Sequence, residues 1–179
     1  MSAPEYSRIS VERLVELCSR SAYTLDGLWF TLVEEKFGLE TALEIDVEVW
    51  RRLCLAQARR VQKYFAIDEP DTLRRLIKVI ELDPLLAVFE PRTVELTDGH
   101  AVLRFTDCPP QKARTRDGRG EFPCKPVGLA LLNSYIEIID PSIKLKCRTC
   151  PPDAHPSEYW CEWEFTVEKL DIIQDERID

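Results

Sequence analysis

The chain has 179 residues, a length that fits one domain with a sizeable core, because such a chain buries roughly 70% of its unfolded surface. Its formal charge of −8 argues against a general nucleic-acid binder, which needs Lys and Arg to neutralise phosphates. No apolar run is long enough to span a membrane, and the opening residues MSAPEYSRIS lack the basic and apolar blocks of a secretion signal. We therefore expect a cytoplasmic protein that binds neither nucleic acid nor membrane. In that reducing compartment the seven cysteines are interpreted as thiols, metal ligands or reactive groups before disulfides.

The first half of the chain has helical periodicity. Ser10 has the chemistry of an N-cap for a first helix, in which Cys18 falls on the apolar face. A second periodic stretch ends at Gly38, a residue suited to the turn past a helix end. Its predicted inward face consists of Leu25, Leu28, Trp29, Leu32 and Val33. Cys18 is therefore predicted to lie in the core.

The longest predicted helix covers residues 40–65. Its predicted inward face consists of Ile45, Val49, Leu53, Ala56 and Arg60, flanked by Trp50 and Cys54. Cys54 is interpreted as a small buried hydrophobic residue. A shorter helix follows, which Asp71 can cap and Pro84 ends.

Acidic side chains are dense around the start of that long helix. They are Glu34, Glu35, Glu40, Glu44, Asp46 and Glu48. Paired carboxylates can bind a metal, but no His accompanies them at ligand spacing. The spacing favours an ordinary solvated helix face.

From Pro91 the period changes from helical to alternating. The pair Asp98-Gly99 is a strong hairpin signal, and a turn there pairs Leu96 with Ala101 and Val94 with Leu103. Two prolines then stop the strand, so Cys108 is predicted at the end of the sheet. Residues 111–120 follow as a predicted flexible basic loop. Its cations are Lys112, Arg114, Arg116 and Arg119.

The run Val127–Ile139 is apolar nearly all round, which is typical of a buried helix over about residues 126–139. Pro126 fits the first turn, so Cys124 is predicted immediately before the helix N-terminus, beside Lys125. The free N–H groups there can lower the pKa of a thiol. A reactive Cys124 and a buried capping cysteine both remain open.

The last alternating segments form a second predicted hairpin over about residues 143–167. One register satisfies both faces of it. It pairs Cys147 with Cys161, Leu145 with Trp163, Ile143 with Phe165, and Lys144 and Lys146 with Glu164 and Glu162. Together these segments predict an α+β fold, in which N-terminal helices of about residues 10–82 pack on an antiparallel sheet. The two hairpins of that sheet, about 92–106 and 143–167, are separated by the buried helix.

The chain is interpreted as a single domain over residues 1–179. It comprises a helical half (1–90), a cysteine-rich half (91–168) and a charged tail (169–179). Its oligomeric state is not readable from the sequence.

Five cysteines of the second half form a candidate metal site. Cys147-x-x-Cys150 can hold one ion and Cys161 supplies a third sulfur, since zinc takes four ligands in a tetrahedron. The fourth position is open to Cys124, Cys108, His155 or water. Reactive thiols, an iron–sulfur cluster and plain buried cysteines are the competing interpretations.

The segments CPPQKAR, EFPCK, IDPSIKLKCRTCPPD and WCEWEF resemble a group of small cytosolic bacterial and archaeal proteins. That group is distantly similar to aminothiazoline-carboxylate hydrolases, and the order of elements is similar to the 4-vinyl reductase ligand-binding domain. The hydrolase resemblance implies opening of a small sulfur-containing heterocyclic amino acid. It implies Cys124 as nucleophile, His155 or Asp153 as base, and the arginines of residues 111–120 as a clamp for a substrate carboxylate.

Three hypotheses on function follow. The first is a domain that binds zinc or a small anionic ligand through its cysteine-rich half. The second is a thiol- or metal-dependent hydrolase. The third is a structural protein with buried cysteines.

Overall fold

The fold is a mixed α+β arrangement, as the sequence predicts. The computed structural model describes residues 10–167, and the predicted charged tail of residues 169–179 lies outside this range. The helices are α1 (Val11–Phe37), α2 (Leu39–Tyr64), α3 (Thr72–Leu82), α4 (Pro109–Arg116) and α5 (Lys125–Ile139), with a 3-10 helix at Pro84–Phe89. The strands are β1 (Arg92–Thr97), β2 (His100–Phe105), β3 (Lys144–Thr149) and β4 (Cys161–Thr166). Among these residues no helix combines the length and apolarity that crossing a membrane requires.

Helix α1 is one continuous helix where the sequence suggested two stretches. Ser10 caps it by accepting a hydrogen bond from Arg13 N, and it ends at Gly38, whose φ of 88° lies in the left-handed region. The predicted burial of Cys18 is wrong, because this residue is exposed. The predicted inward face is wrong in part, because Val33 is buried but the four others are exposed: Leu25, Leu28, Trp29 and Leu32.

The physical reason is that α1 has two apolar faces. The one that packs on α2 and the 3-10 helix carries Ser19, Phe30 and Val33. Periodicity identifies an apolar face but not which of two faces meets the core.

The buried face of α2 is also rotated from its predicted position. It consists of Ala42, Asp46, Trp50, Cys54, Ala58 and Val61, whereas Ile45 and Val49 are exposed. The small side chains of Ala42 and Ala58 allow close packing on this face. The predicted burial of Cys54 is confirmed.

Helix α5 lies between α2 and the sheet and buries six of its fifteen residues, whereas Pro126, Asn133 and Glu137 are exposed along one side, so the predicted burial is confirmed in part. On the sheet side Gly128 lies directly over the indole of Trp163, where a Cβ atom would stand 2.6 Å from Cζ2. On the helical side the Tyr135 hydroxyl donates to the buried carboxylate of Asp83. That carboxylate also accepts from Gln57 Nε2 at 3.0 Å and from Leu85 N at 2.8 Å, so it joins α2, α5 and the 3-10 helix.

The four strands form one antiparallel sheet in the order β1-β2-β4-β3. The predicted first hairpin is confirmed, with Leu96 opposite Ala101 and Val94 opposite Leu103. In the second hairpin, however, the predicted register is wrong by two residues. Leu145 pairs with Phe165, Cys147 with Trp163 and Lys146 with Glu164.

A slip of two residues keeps every side chain on its predicted face, so the alternation of the sequence cannot detect it. The predicted and observed registers of β3 on β4 differ in which β3 residue lies beside Trp163, and β2, the other neighbour of β4, packs against the same residue. Trp163 lies between Leu103 of β2 and the small Cys147 of β3, which leaves space for its ring beneath α5.

The contact between Gly128 and Trp163 predicts a large effect of one methyl group. We expect Gly128→Ala to lower the free energy of unfolding by about 1–3 kcal/mol, since the buried indole must move. The matched control is Gly27→Ala, also inside a helix, where an added Cβ meets nothing within 4 Å. That change should raise stability by about 0.5–1 kcal/mol. Urea unfolding measures both, and equal effects of the two substitutions would contradict this packing.

Candidate functional site

Five cysteines from separate segments meet at one end of the sheet. We call them the thiol cluster: Cys108, Cys124, Cys147, Cys150 and Cys161. All five are free thiols, and Cys108 and Cys150 are the buried members. The sequence predicted a group of Cys147, Cys150 and Cys161 with Cys124 or Cys108 among the candidates for a fourth position, and the geometry within the cluster differs from that prediction.

Cys150, not Cys147, is the cysteine that comes opposite Cys161. The ladder between β3 and β4 is interrupted between Cys147 and Thr149, after which Thr149 pairs with Glu162. The extra residue advances β3 by one position, so the next pair along the two chains is Cys150 with Cys161. The predicted Cys147–Cys161 pair is therefore wrong, and the bulge replaces it with a different pair of thiols.

The Cys150 thiol contacts the thiols of both Cys124 and Cys161. Hydrogen bonding with Cys124 and then with Cys161 raises the pKa of the Cys150 thiol. The hydrogen bond from Cys150 lowers the pKa of Cys161. Cys150 is thus the donor in its hydrogen bond with Cys161, and this bond favours the thiolate form of Cys161.

The other two thiols surround this trio. Burial raises the pKa of Cys108 well above its usual range, and the neighbouring Cys124 contributes to the same effect. Burial also raises the pKa of Cys147 to about 11, while the nearby Lys125 opposes the increase. Both are protonated at neutral pH.

The N-terminus of α5 holds the cysteine loop in place. As predicted, Cys124 occupies the N-cap position, where its side chain makes no capping hydrogen bond. Lys125 N donates to the Pro151 carbonyl at 2.9 Å, and its Nζ lies 2.7 Å from the Asp153 carboxylate. Asp153, a candidate base, is therefore paired with a cation beside the cluster.

Both ring nitrogens of His155, the other candidate base, have polar partners outside the thiol cluster. Its Nδ1 lies 2.9 Å from the Pro156 carbonyl, its Nε2 lies 3.3 Å from Glu121, and its ring packs on Trp160. The hydrogen bond to Pro156 is the largest cause of a raised His155 pKa. Within residues 10–167, no group of three or more His, Cys, Asp or Glu side chains has the geometry to hold a metal ion as it stands.

The predicted flexible basic loop is wrong over most of its length, since residues up to Arg116 form helix α4. Two prolines occupy its first turn, where missing N–H groups cost nothing. Each of the four cations has a carboxylate partner. These pairs are Lys112–Asp107, Arg114–Glu34, Arg116–Asp117, and Arg119 with Glu34 and Glu35.

Through these ion pairs, Arg114 of α4 and Arg119 of the segment after it hold this part of the chain against the end of α1. Arg114 binds both oxygens of Glu34, at 2.7 and 2.8 Å, and its hydrogen bond is the largest cause of a lowered Glu34 pKa. Its guanidinium also lies 5.9 Å from the ring centres of Phe30 and Phe122. A carboxylate clamp made by these arginines would have to compete with the carboxylates that they already hold.

A cleft of about 420 Å³ lies between α1, α2 and α4, and sequence reasoning missed it. Two of its wall residues are Asp26 and Asp46, neither of which forms an ion pair among the described residues. Burial raises the pKa of Asp26 to about 6. Burial, and to a smaller extent the charge of Asp26, raise the pKa of Asp46 to about 7.

The predicted solvated face is therefore wrong for Asp46, which is only 7% exposed. A signal for it was present in the sequence. Asp46 is four residues from Ala42 and four from Trp50, so it belongs to the row of α2 that packs inward.

Asp46 predicts a specific pH dependence of stability. Its folded pKa lies above its unfolded value of 3.8, so this group stabilises the fold at low pH and costs stability as pH rises from about 4 to 7. We expect Asp46→Asn to raise the free energy of unfolding by about 1–3 kcal/mol at pH 8 and by much less near pH 4.5. Urea unfolding at the two pH values tests this. Asp117→Asn, at an exposed wall residue of the same cleft, is the control; a gain from Asp46→Asn that is equal at both pH values would contradict the account.

Comparison with known proteins gives one result. No curated protein matches the chain, and no solved structure matches it. A family model matches residues 6–167, which include α1 to α5, the whole sheet and every member of the thiol cluster. The chain therefore belongs to a family of unknown function, DUF6125.

Proposed function

We propose that the protein binds a zinc ion through the thiol cluster. The observation that supports this is the convergence of five free thiols from separate parts of the chain at one end of the sheet. Thiolate sulfur is a favoured ligand of Zn²⁺, and sites with several cysteines are typically structural. A protein of this size has no need of five neighbouring cysteines to complete a core.

The proposed ligands are Cys124, Cys150 and Cys161, with Cys147 or Cys108 as the fourth. Cys150 already contacts Cys124 and Cys161, and its hydrogen bond lowers the pKa of Cys161. Binding requires the side chains to rotate towards a common centre and the thiols to lose their protons, because the ligand is the thiolate. His155 is not proposed as a ligand, since both its ring nitrogens have other partners.

Lys125 supports this proposal through charge. Four thiolates around Zn²⁺ carry a net charge of −2. The hydrogen bond with Asp153 is the largest cause of a raised Lys125 pKa, and the neighbouring Cys147 and Cys150 contribute to the same effect. The same residue binds the Pro151 carbonyl with its backbone N–H, which fixes the loop that follows Cys150. A small anionic ligand on the residue 111–120 segment is supported less well, because every cation there is paired.

Metal content tests the zinc proposal. We expect protein purified without added metal to contain about one zinc per chain, measured by elemental mass spectrometry. Chelation of the metal should lower the midpoint temperature of unfolding. Cys150→Ala should abolish the bound metal. Cys54→Ala is the matched control, because both cysteines are 1% exposed and only Cys150 lies in the cluster.

Two outcomes would overturn the zinc proposal. One is the absence of stoichiometric metal, both as purified and after addition of zinc. The other is equal metal content in the Cys150→Ala and Cys54→Ala variants. Either would leave the two hypotheses that need no metal: a structural role, in which the cysteines serve only as buried apolar side chains, and the thiol-dependent hydrolase.

A second candidate function is a thiol-dependent hydrolase of a small sulfur-containing heterocyclic amino acid, as in the aminothiazoline-carboxylate hydrolases that the sequence resembles. The observation that favours it is Cys124 at the N-cap of α5, half-buried and without a capping hydrogen bond. The positive end of a helix stabilises a thiolate at such a position, although here the Lys125 N–H is bound to the Pro151 carbonyl and Pro126 has no N–H. The Asp153 and His155 side chains follow in the loop that binds this helix end.

This second candidate predicts fast alkylation of Cys124. Iodoacetamide at pH 7 should modify Cys124 at least about tenfold faster than the exposed Cys18, which has no neighbouring helix terminus. Peptide mapping of the labelled protein after chelation of any metal gives the two rates. Alkylation of Cys124 no faster than that of Cys18 would count against a catalytic thiol and would leave the zinc proposal unaffected.

A further inference from the structure

Helix α1 exposes an apolar stripe along most of its length. Val11, Cys18, Leu25 and Leu32 recur at intervals of seven residues, and Leu28 and Trp29 lie beside them. We call these six residues the α1 seam. Leu25 is 66% exposed, Leu28 60%, Trp29 59% and Leu32 65%. Large apolar side chains that repeat with a heptad period are the signature of a helix that packs on another helix.

From Val11 to Leu32 no charged residue occupies a seam position of α1, although 31% of the chain is charged. Between Arg20 and Glu34 the sequence of α1 has a single charged residue, Asp26, which lines the cleft. By their spacing from Leu25, Glu16 and Glu34 lie on the opposite side of the helix. Arg20 borders the seam, in a shallow depression that it lines with Leu25 and Leu28, and Lys36 follows the seam at its C-terminal end. A solvated helix normally carries its charges on its exposed face, so the seam has the composition of a covered surface.

The side chains of the seam differ in size between its two halves. The C-terminal half carries the bulky Leu28, Trp29 and Leu32. The corresponding positions of the N-terminal half are small: Ala22, Ser21 and Cys18. An antiparallel copy of the same helix, centred on Leu25, would place each bulky residue opposite a small one. A parallel copy would place bulky residues against bulky ones and small against small.

We propose that two copies of this chain associate through their α1 seams, antiparallel about a two-fold axis at Leu25. Such an interface is self-complementary, as a two-fold dimer requires. At these exposed fractions the apolar side chains offer on the order of 500 Å² from each copy, near the lower limit for a stable interface. The occupant is thus a second copy of this chain. The proposal is independent of zinc binding.

Sedimentation equilibrium of the full chain tests the association. We expect a dimer, and Leu25→Glu should raise its dissociation constant at least about a hundredfold, because two glutamates then face each other at the axis. Tyr64→Glu is the control: Tyr64 is 83% exposed, lies on α2 and is outside the seam. Circular dichroism checks that both variants remain folded. A monomeric wild-type chain, or equal weakening by both variants, would overturn the proposal.

Cross-linking tests the direction of the helices. In the antiparallel pair Leu32 lies opposite the partner's Cys18, so Leu32→Cys should give a disulfide-linked dimer when copper phenanthroline removes two electrons and two protons from the thiols. Native Cys18 would be about 21 Å from the partner's Cys18 along the helix, too far for a disulfide. Adding Cys18→Ser to Leu32→Cys should abolish the cross-link. A Leu32→Cys cross-link that survives Cys18→Ser, or a wild-type dimer linked through Cys18, would establish a parallel pair and overturn the antiparallel one.

Discussion

The burial of helix α5 is the constraint on which the rest of the structure depends. Only a narrow side of this helix, with Pro126, Asn133 and Glu137, is exposed, so the remaining apolar surface must be covered by α2 and by the sheet. Its sheet side requires Gly128, because only a residue without a side chain lets the backbone lie on Trp163. Its other side is held by Tyr135, whose hydroxyl donates to the Asp83 carboxylate at the junction of α2 and the 3-10 helix. The position of α5 thus sets the spacing between the helical layer and the sheet.

The thiol cluster follows from that position. The N-terminus of α5 points at the loop after β3, where Lys125 N binds the Pro151 carbonyl. Cys124 is the N-cap residue of this helix, Cys150 lies in the loop after β3, and Cys161 is the first residue of β4. The bulge after Cys147 completes the arrangement by bringing Cys150 opposite Cys161. The candidate site is therefore made by the same contacts that hold the core, which is the design expected of a structural metal site.

Much of the fold could be predicted from the sequence because local chemistry determines it. Asp98-Gly99 fixes the first hairpin, Ser10 caps α1, and the apolar run from Val127 defines α5. Cys147, Cys150 and Cys161 were also predicted to form one ligand group, with Cys124, Cys108, His155 or water at a fourth position. The errors arose where packing decides between alternatives that the sequence leaves equivalent.

Three cases show this. The β3–β4 register could slip by two residues without moving any side chain to the other face, and only β2 and the bulge resolve it. The inward face of α1 was misassigned because this helix has a second apolar face, the α1 seam, which no part of the described chain covers. Asp46 was assigned to solvent because a charged residue in a helix usually lies there, whereas here it forms the wall of a cleft.

The central claim is that the thiol cluster is a sulfur-ligated metal site. X-ray absorption at the zinc edge, recorded on protein purified without added metal, tests it most directly. The account predicts at least three sulfur neighbours at about 2.3 Å from the zinc. Zinc surrounded only by oxygen and nitrogen, or no zinc absorption from the folded protein, would contradict it.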